Sequence, residues 1–130
     1  MKWFRPGCIE MKSSAADIER FAEEHRLSGA VRHGNTLYLA GQVADDSSLD
    51  TEGQTTDILH QIDAILAEAG TDKTRLLSVQ IFMTDITEID AVNRAWDAWL
   101  DHDHKPARAT VEARLVNPDW SVEITAVAAI

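Results

Sequence analysis

A chain of 130 residues fits one domain, and 45% apolar with 26% charged residues is the composition of a globular core under a polar surface. Twenty-two Asp and Glu against 12 Lys and Arg leave a formal charge of −10, which repels a phosphate backbone or an anionic membrane and points to small-molecule work. The single cysteine, Cys8, excludes an intrachain disulfide, and the absence of a long apolar run predicts a cytoplasmic protein with no nucleic-acid or membrane partner.

In chain order, Ser14-Ala15-Ala16-Asp17 has the spacing of a helix N-cap ahead of Ile18, Phe21, Ala22 and His25, which predicts a short N-terminal helix. Gly34-Asn35 between Ala30-Val31-Arg32 and Thr36–Ala40 predicts a β-hairpin. A polar loop, Asp45 to Asp50, follows. Thr55 to Ala69 carries one apolar stripe of Ile58, Leu59, Ile62, Ile65, Leu66 and Ala69, closed by Gly70, and predicts a helix. Leu77 to Thr84 alternates as a strand. Glu88 to Leu100 gathers Ile89, Val92, Trp96 and Trp99 on one helical face before Pro106. Ala107 to Leu115 alternates again, with Arg108, Thr110, Glu112 and Arg114 on one side. After the turn Asn117-Pro118-Asp119, Val122 to Ala129 is the last strand.

The order helix–β–β–α–β–α–β–β predicts an α+β fold, with two long helices on one face of a sheet. The strands are apolar on both faces, with Tyr38, Phe82 and Val127 opposite Leu39, Ile81 and Ala126. Two helices cover one face only, so a homo-oligomer is expected.

Several chemistries fail on spacing. Asp101-His102-Asp103-His104 offers four ligand types in a row, but neighbouring residues at a helix end diverge and no distant pair completes a metal site. No phosphate-binding glycine loop is present, and Cys8 has no flanking signature of a nucleophile. Two charges remain. Arg108 stands two residues past a proline in an apolar strand and offers a planar fork for a carboxylate; it also suits a structural ion pair. Glu123 stands inside the apolar run Val122 to Ala129, as a costly functional carboxylate or as an edge-strand charge. Trp96, Trp99 and Trp120 suit a core or an interface better than a cleft.

Four segments, Gly34–Gln42, Ala91–Trp96, Pro106–Val111 and Val122-Glu123-Ile124, together resemble the signatures of the RidA/YjgF family, also labelled endoribonuclease L-PSP. The resemblance runs from Ser28 to the C-terminus, leaving residues 1–27 as an N-terminal extension and 28–130 as the domain. It implies a chorismate-mutase-like α+β fold with a mixed β-sheet, assembled as a homotrimer with ligand clefts between subunits. It further implies hydrolysis of reactive 2-enamino and 2-imino acids to 2-keto acids and ammonia, without metal or organic cofactor. By position, Arg108 matches the arginine that clamps the substrate carboxylate and Glu123 the glutamate associated with the attacking water. Asn93 matches an asparagine near the cleft, and Gly41-Gln42 the loop after the hairpin. Three positions depart from the active branch: Leu27 replaces a tyrosine, Ala40 a serine and Thr110 a cysteine. These departures leave open a non-catalytic protein that binds or senses a small carboxylate. The ribonuclease of the older label is opposed by the charge of −10.

Overall fold

A computed structural model of the chain describes residues 17–130, so Cys8 and the expected cap at Ser14 lie outside the described residues. Six strands form one sheet in the order β1-β2-β3-β6-β4-β5. The strands are β1 (Ile18–Glu23), β2 (Ser28–His33), β3 (Thr36–Gln42), β4 (Leu76–Met83), β5 (Ala107–Glu112) and β6 (Val122–Ala129). Helices α1 (Thr51–Glu68) and α2 (Ile89–Trp99) complete it. All pairings are antiparallel except β4 with β5, so the sheet is mixed.

The helical reading of Ile18 to His25 is corrected: Ile18–Glu23 is a strand, antiparallel to β2. Ile18, Phe21 and Ala22 have helical spacing, but β2 offers a ladder of backbone partners, and this pairing outweighs local pattern. Phe21 sits opposite Ala30, whose small side chain leaves room for the ring against the core. The sheet thus starts at Ile18, ahead of the boundary read at Ser28. Gly34, at φ 61, makes the β2–β3 turn that the Gly-Asn pair predicts.

Both helices pack on the same face. Ile58, Leu59, Ile62 and Leu66 of α1 and Val92 and Trp96 of α2 close over Leu37, Leu39, Val79, Ile81, Ile124 and Ala126. Helix α1 begins one turn before the expected start at Thr55, because Asp50 accepts a bond from the Gly53 N–H at 2.8 Å. The first turn buries polar groups instead. Gln54, 2% exposed, donates to the Leu49 and Asp119 carbonyls and accepts from the Ser121 N–H. It thereby ties the helix start to the chain entering β6. The opposite face of the sheet carries Tyr38, Phe82, Val111 and Val127, with Tyr38 still 47% exposed. Among the described residues no helix is long and apolar enough to cross a membrane.

Three turns are closed by an aspartate that accepts from a backbone N–H and a hydroxyl two residues on: Asp46 with Ser48, Asp72 with Thr74, Asp85 with Thr87. These bonds hold each carboxyl below its ordinary value of 3.8. A depressed folded-state value gives stability that is complete above 3.8 and is lost as pH falls through the folded value. The urea midpoint should therefore be level near neutrality and decline below that range. An Asp46→Ala, Asp72→Ala, Asp85→Ala triple variant should show a shallower acid decline; an unchanged slope would remove these turns from the account.

Candidate functional site

The parallel pairing of β4 with β5 sets Arg108 beside Val79 and Thr110 beside Ile81. Both side chains therefore leave the sheet on the helix-covered face, at its β5 edge. There α2 meets them. Arg108 Nη2 donates to Asn93 Oδ1 at 2.9 Å, and the guanidinium carbon lies 5.2 Å from the centre of the Trp96 ring. Neither partner is charged. Among the described residues no carboxylate is within ion-pair range of Arg108, although the chain carries 22 acidic residues. The ion-pair reading of Arg108 is thus not what the structure contains.

Thr110 is less available. Its Oγ1 is sealed from solvent and has no hydrogen-bond partner among the described residues. A buried, unpaired hydroxyl costs about 1–3 kcal/mol, so Thr110→Val should raise unfolding stability by about 1 kcal/mol. A urea titration measures this, and a loss of stability would mean that the hydroxyl has found a partner.

Glu123 lies elsewhere. It pairs with Phe82 on the open face, while its neighbours Val122 and Ile124 point into the core. Its carboxylate rests over Gly41. A Cβ placed on Gly41 would fall 2.1 Å from Glu123 Oε2 and 2.9 Å from the carboxyl carbon. Gly41 belongs to the irregular stretch between Leu39 and Gln42, where β3 takes one extra residue against β6. Gln42 Nε2 donates to the Ala40 carbonyl at 3.0 Å and braces this bulge. Leu27, 51% exposed, ends the β1–β2 turn, where the Glu24 N–H donates to its carbonyl at 2.7 Å.

The expected site residues therefore fall into three groups in one chain. Arg108, Asn93 and Thr110 stand at the β5 edge on the helix side. Ala40, Gly41, Gln42 and Glu123 gather at the bulge between β3 and β6, with the Glu123 carboxylate on the open face. Leu27 is four strands from β5, roughly 19 Å at the usual strand spacing. Between the last two strands the open face has a depression of about 390 Å³ whose lining includes Ser78, Gln80, Ala109, Thr125 and Val127, with Arg108 and Val79 also bordering it. Trp96, assigned to the core on spacing, is 5% exposed and also carries Arg108. The signal for that second role was its place three residues after Asn93 on the helix. The Asp101–His104 stretch is satisfied locally: His104 Nδ1 is 3.2 Å from Asp101 Oδ1 and His102 Nε2 is 2.9 Å from the Asp97 carbonyl.

Comparison with known proteins bears on this arrangement. The family model for endoribonuclease L-PSP matches residues 17–130, and so includes β1. The RutC family protein YoaB of Escherichia coli K12 is 44% identical over 113 residues, 87% of this chain and 98% of that protein. A RutC family protein of Haemophilus ducreyi is 41% identical over 113 residues, 87% and 97% of the two chains. A crystal structure of a YjgF family member from Neisseria meningitidis matches with a TM-score of 0.84 at 40% identity, covering 89% of this chain and 97% of that one.

Proposed function

Because this chain belongs to the endoribonuclease L-PSP family, which is the YjgF/RidA family, we propose that it hydrolyses small 2-imino and 2-enamino acids to 2-keto acids and ammonia. The observation that carries this reading is the state of Arg108: oriented by two neutral groups, Asn93 and Trp96, and without a counter-charge among the described residues. An arginine held in this way keeps its fork for a carboxylate brought by a ligand. The family relationship supplies the reaction class, and the residue types suit it.

The imine carbon is already electrophilic, so the protein needs to orient the acid and activate water. Arg108 binds the carboxylate. Glu123 accepts one proton from water as the water oxygen bonds to the carbon of the protonated imine, and returns that proton to nitrogen. As the carbon–nitrogen bond breaks and ammonia leaves, Glu123 takes the second proton from the new hydroxyl, whose oxygen becomes the keto oxygen. The overall reaction consumes one water and needs no electron acceptor.

Arg108 and Glu123 stand on opposite faces of one sheet, so a small acid cannot touch both in one chain. The open face, with Tyr38 47% and Val111 42% exposed, calls for a cover. We infer a homotrimer in which one subunit's Glu123 face approaches the next subunit's Arg108 edge.

The test is steady-state hydrolysis of 2-iminopropanoate generated in situ, with wild type against Arg108→Ala. Wild type should accelerate pyruvate formation and the variant should not. If an intact wild-type oligomer gives only the uncatalysed rate but still binds pyruvate, the deaminase reading falls to that of a carboxylate-binding protein. Leu27 and Ala40, which place aliphatic groups where the active branch has polar ones, favour that second reading. Against the ribonuclease in the family label stands the charge of −10.

A further inference from the structure

We propose that Trp96 is the positioning residue of Arg108, an indole platform that aims the guanidinium without neutralising it. The proposal rests on the reading of Arg108 as the carboxylate-binding group. Asn93 and Trp96 are one turn apart on α2 and face the same flank, towards β5. The guanidinium carbon is 5.2 Å from the centre of the Trp96 ring, inside the range of a cation–π contact. The ring itself is fixed, being 5% exposed within the core and tilted against Trp99 at 5.6 Å. The contact with the ring limits where the guanidinium can sit, and the bond from Nη2 to Asn93 Oδ1 fixes one of its N–H directions. An exposed arginine without such contacts has to surrender much side-chain freedom on binding. Here most of that freedom is already gone. A carboxylate partner would orient the fork equally well but would occupy it; an aromatic face and an amide oxygen leave the remaining N–H groups for the ligand.

Trp99 provides an internal control. It lies one turn further along the same helix, yet its contacts go elsewhere. Its Nε1 donates to Asp63 Oδ2 at 2.8 Å, and Lys73 Nζ sits 5.0 Å over its ring while donating to its backbone carbonyl. Trp99 thus ties α2 to α1 and to the segment before β4. The two indoles share a helix and a core, and only one carries the site arginine.

The experiment is calorimetric titration of the full-length oligomer with pyruvate, a 2-keto acid of the product class, alongside imine hydrolysis kinetics. Trp96→Leu should weaken pyruvate binding about three- to tenfold and raise KM by the same factor, with kcat changed by less than about twofold. Trp96→Tyr, which restores an aromatic face, should recover most of the loss. Trp99→Phe should lower the thermal midpoint and leave pyruvate affinity as in wild type. Arg108→Ala sorts the two ideas. If it binds pyruvate as wild type does, the reading of Arg108 fails, and with it the premise of the proposal. If it abolishes binding while folded Trp96→Leu binds normally, Trp96 is overturned and the reading of Arg108 stands. Should Trp96→Leu not fold, the Arg108 Nε–H proton resonance of the wild-type protein decides. It should be ring-current shifted upfield; an ordinary exposed-arginine position rejects the platform.

Discussion

If the proposed homotrimer forms, subunits carrying Arg108→Ala and subunits carrying Glu123→Gln, each nearly inactive alone, should regain activity when unfolded together and refolded as mixed oligomers. Each variant alone should lose about a hundredfold or more of the hydrolysis rate, the usual cost of removing an acid–base group or a substrate clamp. In a random equal mixture, about one interface in four combines an intact Arg108 from one subunit with an intact Glu123 from its neighbour. Activity should therefore return to about a quarter of wild type. The expectation follows from the sheet. Arg108 leaves β5 on the side of Val79, with the helices, while Glu123 leaves β6 on the side of Phe82. Strand β4 lies between them, and in the structure the two side chains leave opposite faces of the sheet. A mixture that stays at the level of the single variants would place both groups in one subunit's site, or remove one of them from the reaction.

How much of this was legible in the sequence depended on whether a local pattern had one structural solution. The strict alternation of Val122 to Ala129 and the apolar stripe from Ile58 to Leu66 each admit one, and both elements form as read. Ile18, Phe21 and Ala22 admit two, and the choice belongs to β2, which no local window contains. The start of α1 was hidden for another reason. Thr51, Gln54 and Thr55 are buried polar residues, satisfied by hydrogen bonds, and a hydrophobic pattern passes over them. The site divides in the same way. Arg108 and Glu123 stood out because a charge in an apolar strand is costly, but charge alone does not give a face. The parallel placement of β5 beside β4 decides which side Arg108 takes, and that is a property of the crossover through α2. Trp96 was legible as core and is core; that its ring also carries an arginine is a tertiary fact.

Gly41→Ala should be the sharpest single-site test of the Glu123 half of the site, since it adds one methyl group and removes no functional atom. Gly41 is absent from the positive-φ positions of the chain, which are Ala22, Gly34 and Gly70 among the described residues, so its backbone accepts alanine without strain. What an alanine lacks there is space. Its Cβ would lie 2.1 Å from Glu123 Oε2, 2.9 Å from Cδ and 3.2 Å from Cγ, and no backbone atom is among these nearest neighbours. The carboxylate, at the end of a flexible side chain, must swing away. Folding should then suffer little, with a stability change below about 1 kcal/mol, while hydrolysis falls by about a hundredfold. Pyruvate binding through Arg108 should persist, because that residue lies on the other face. The double variant Gly41→Ala, Glu123→Gln should be no worse than either single change, since both act on the same carboxylate. If Gly41→Ala instead unfolds the protein, the glycine serves the β3 bulge. If it leaves hydrolysis untouched, the carboxylate works from a position other than the one over Gly41.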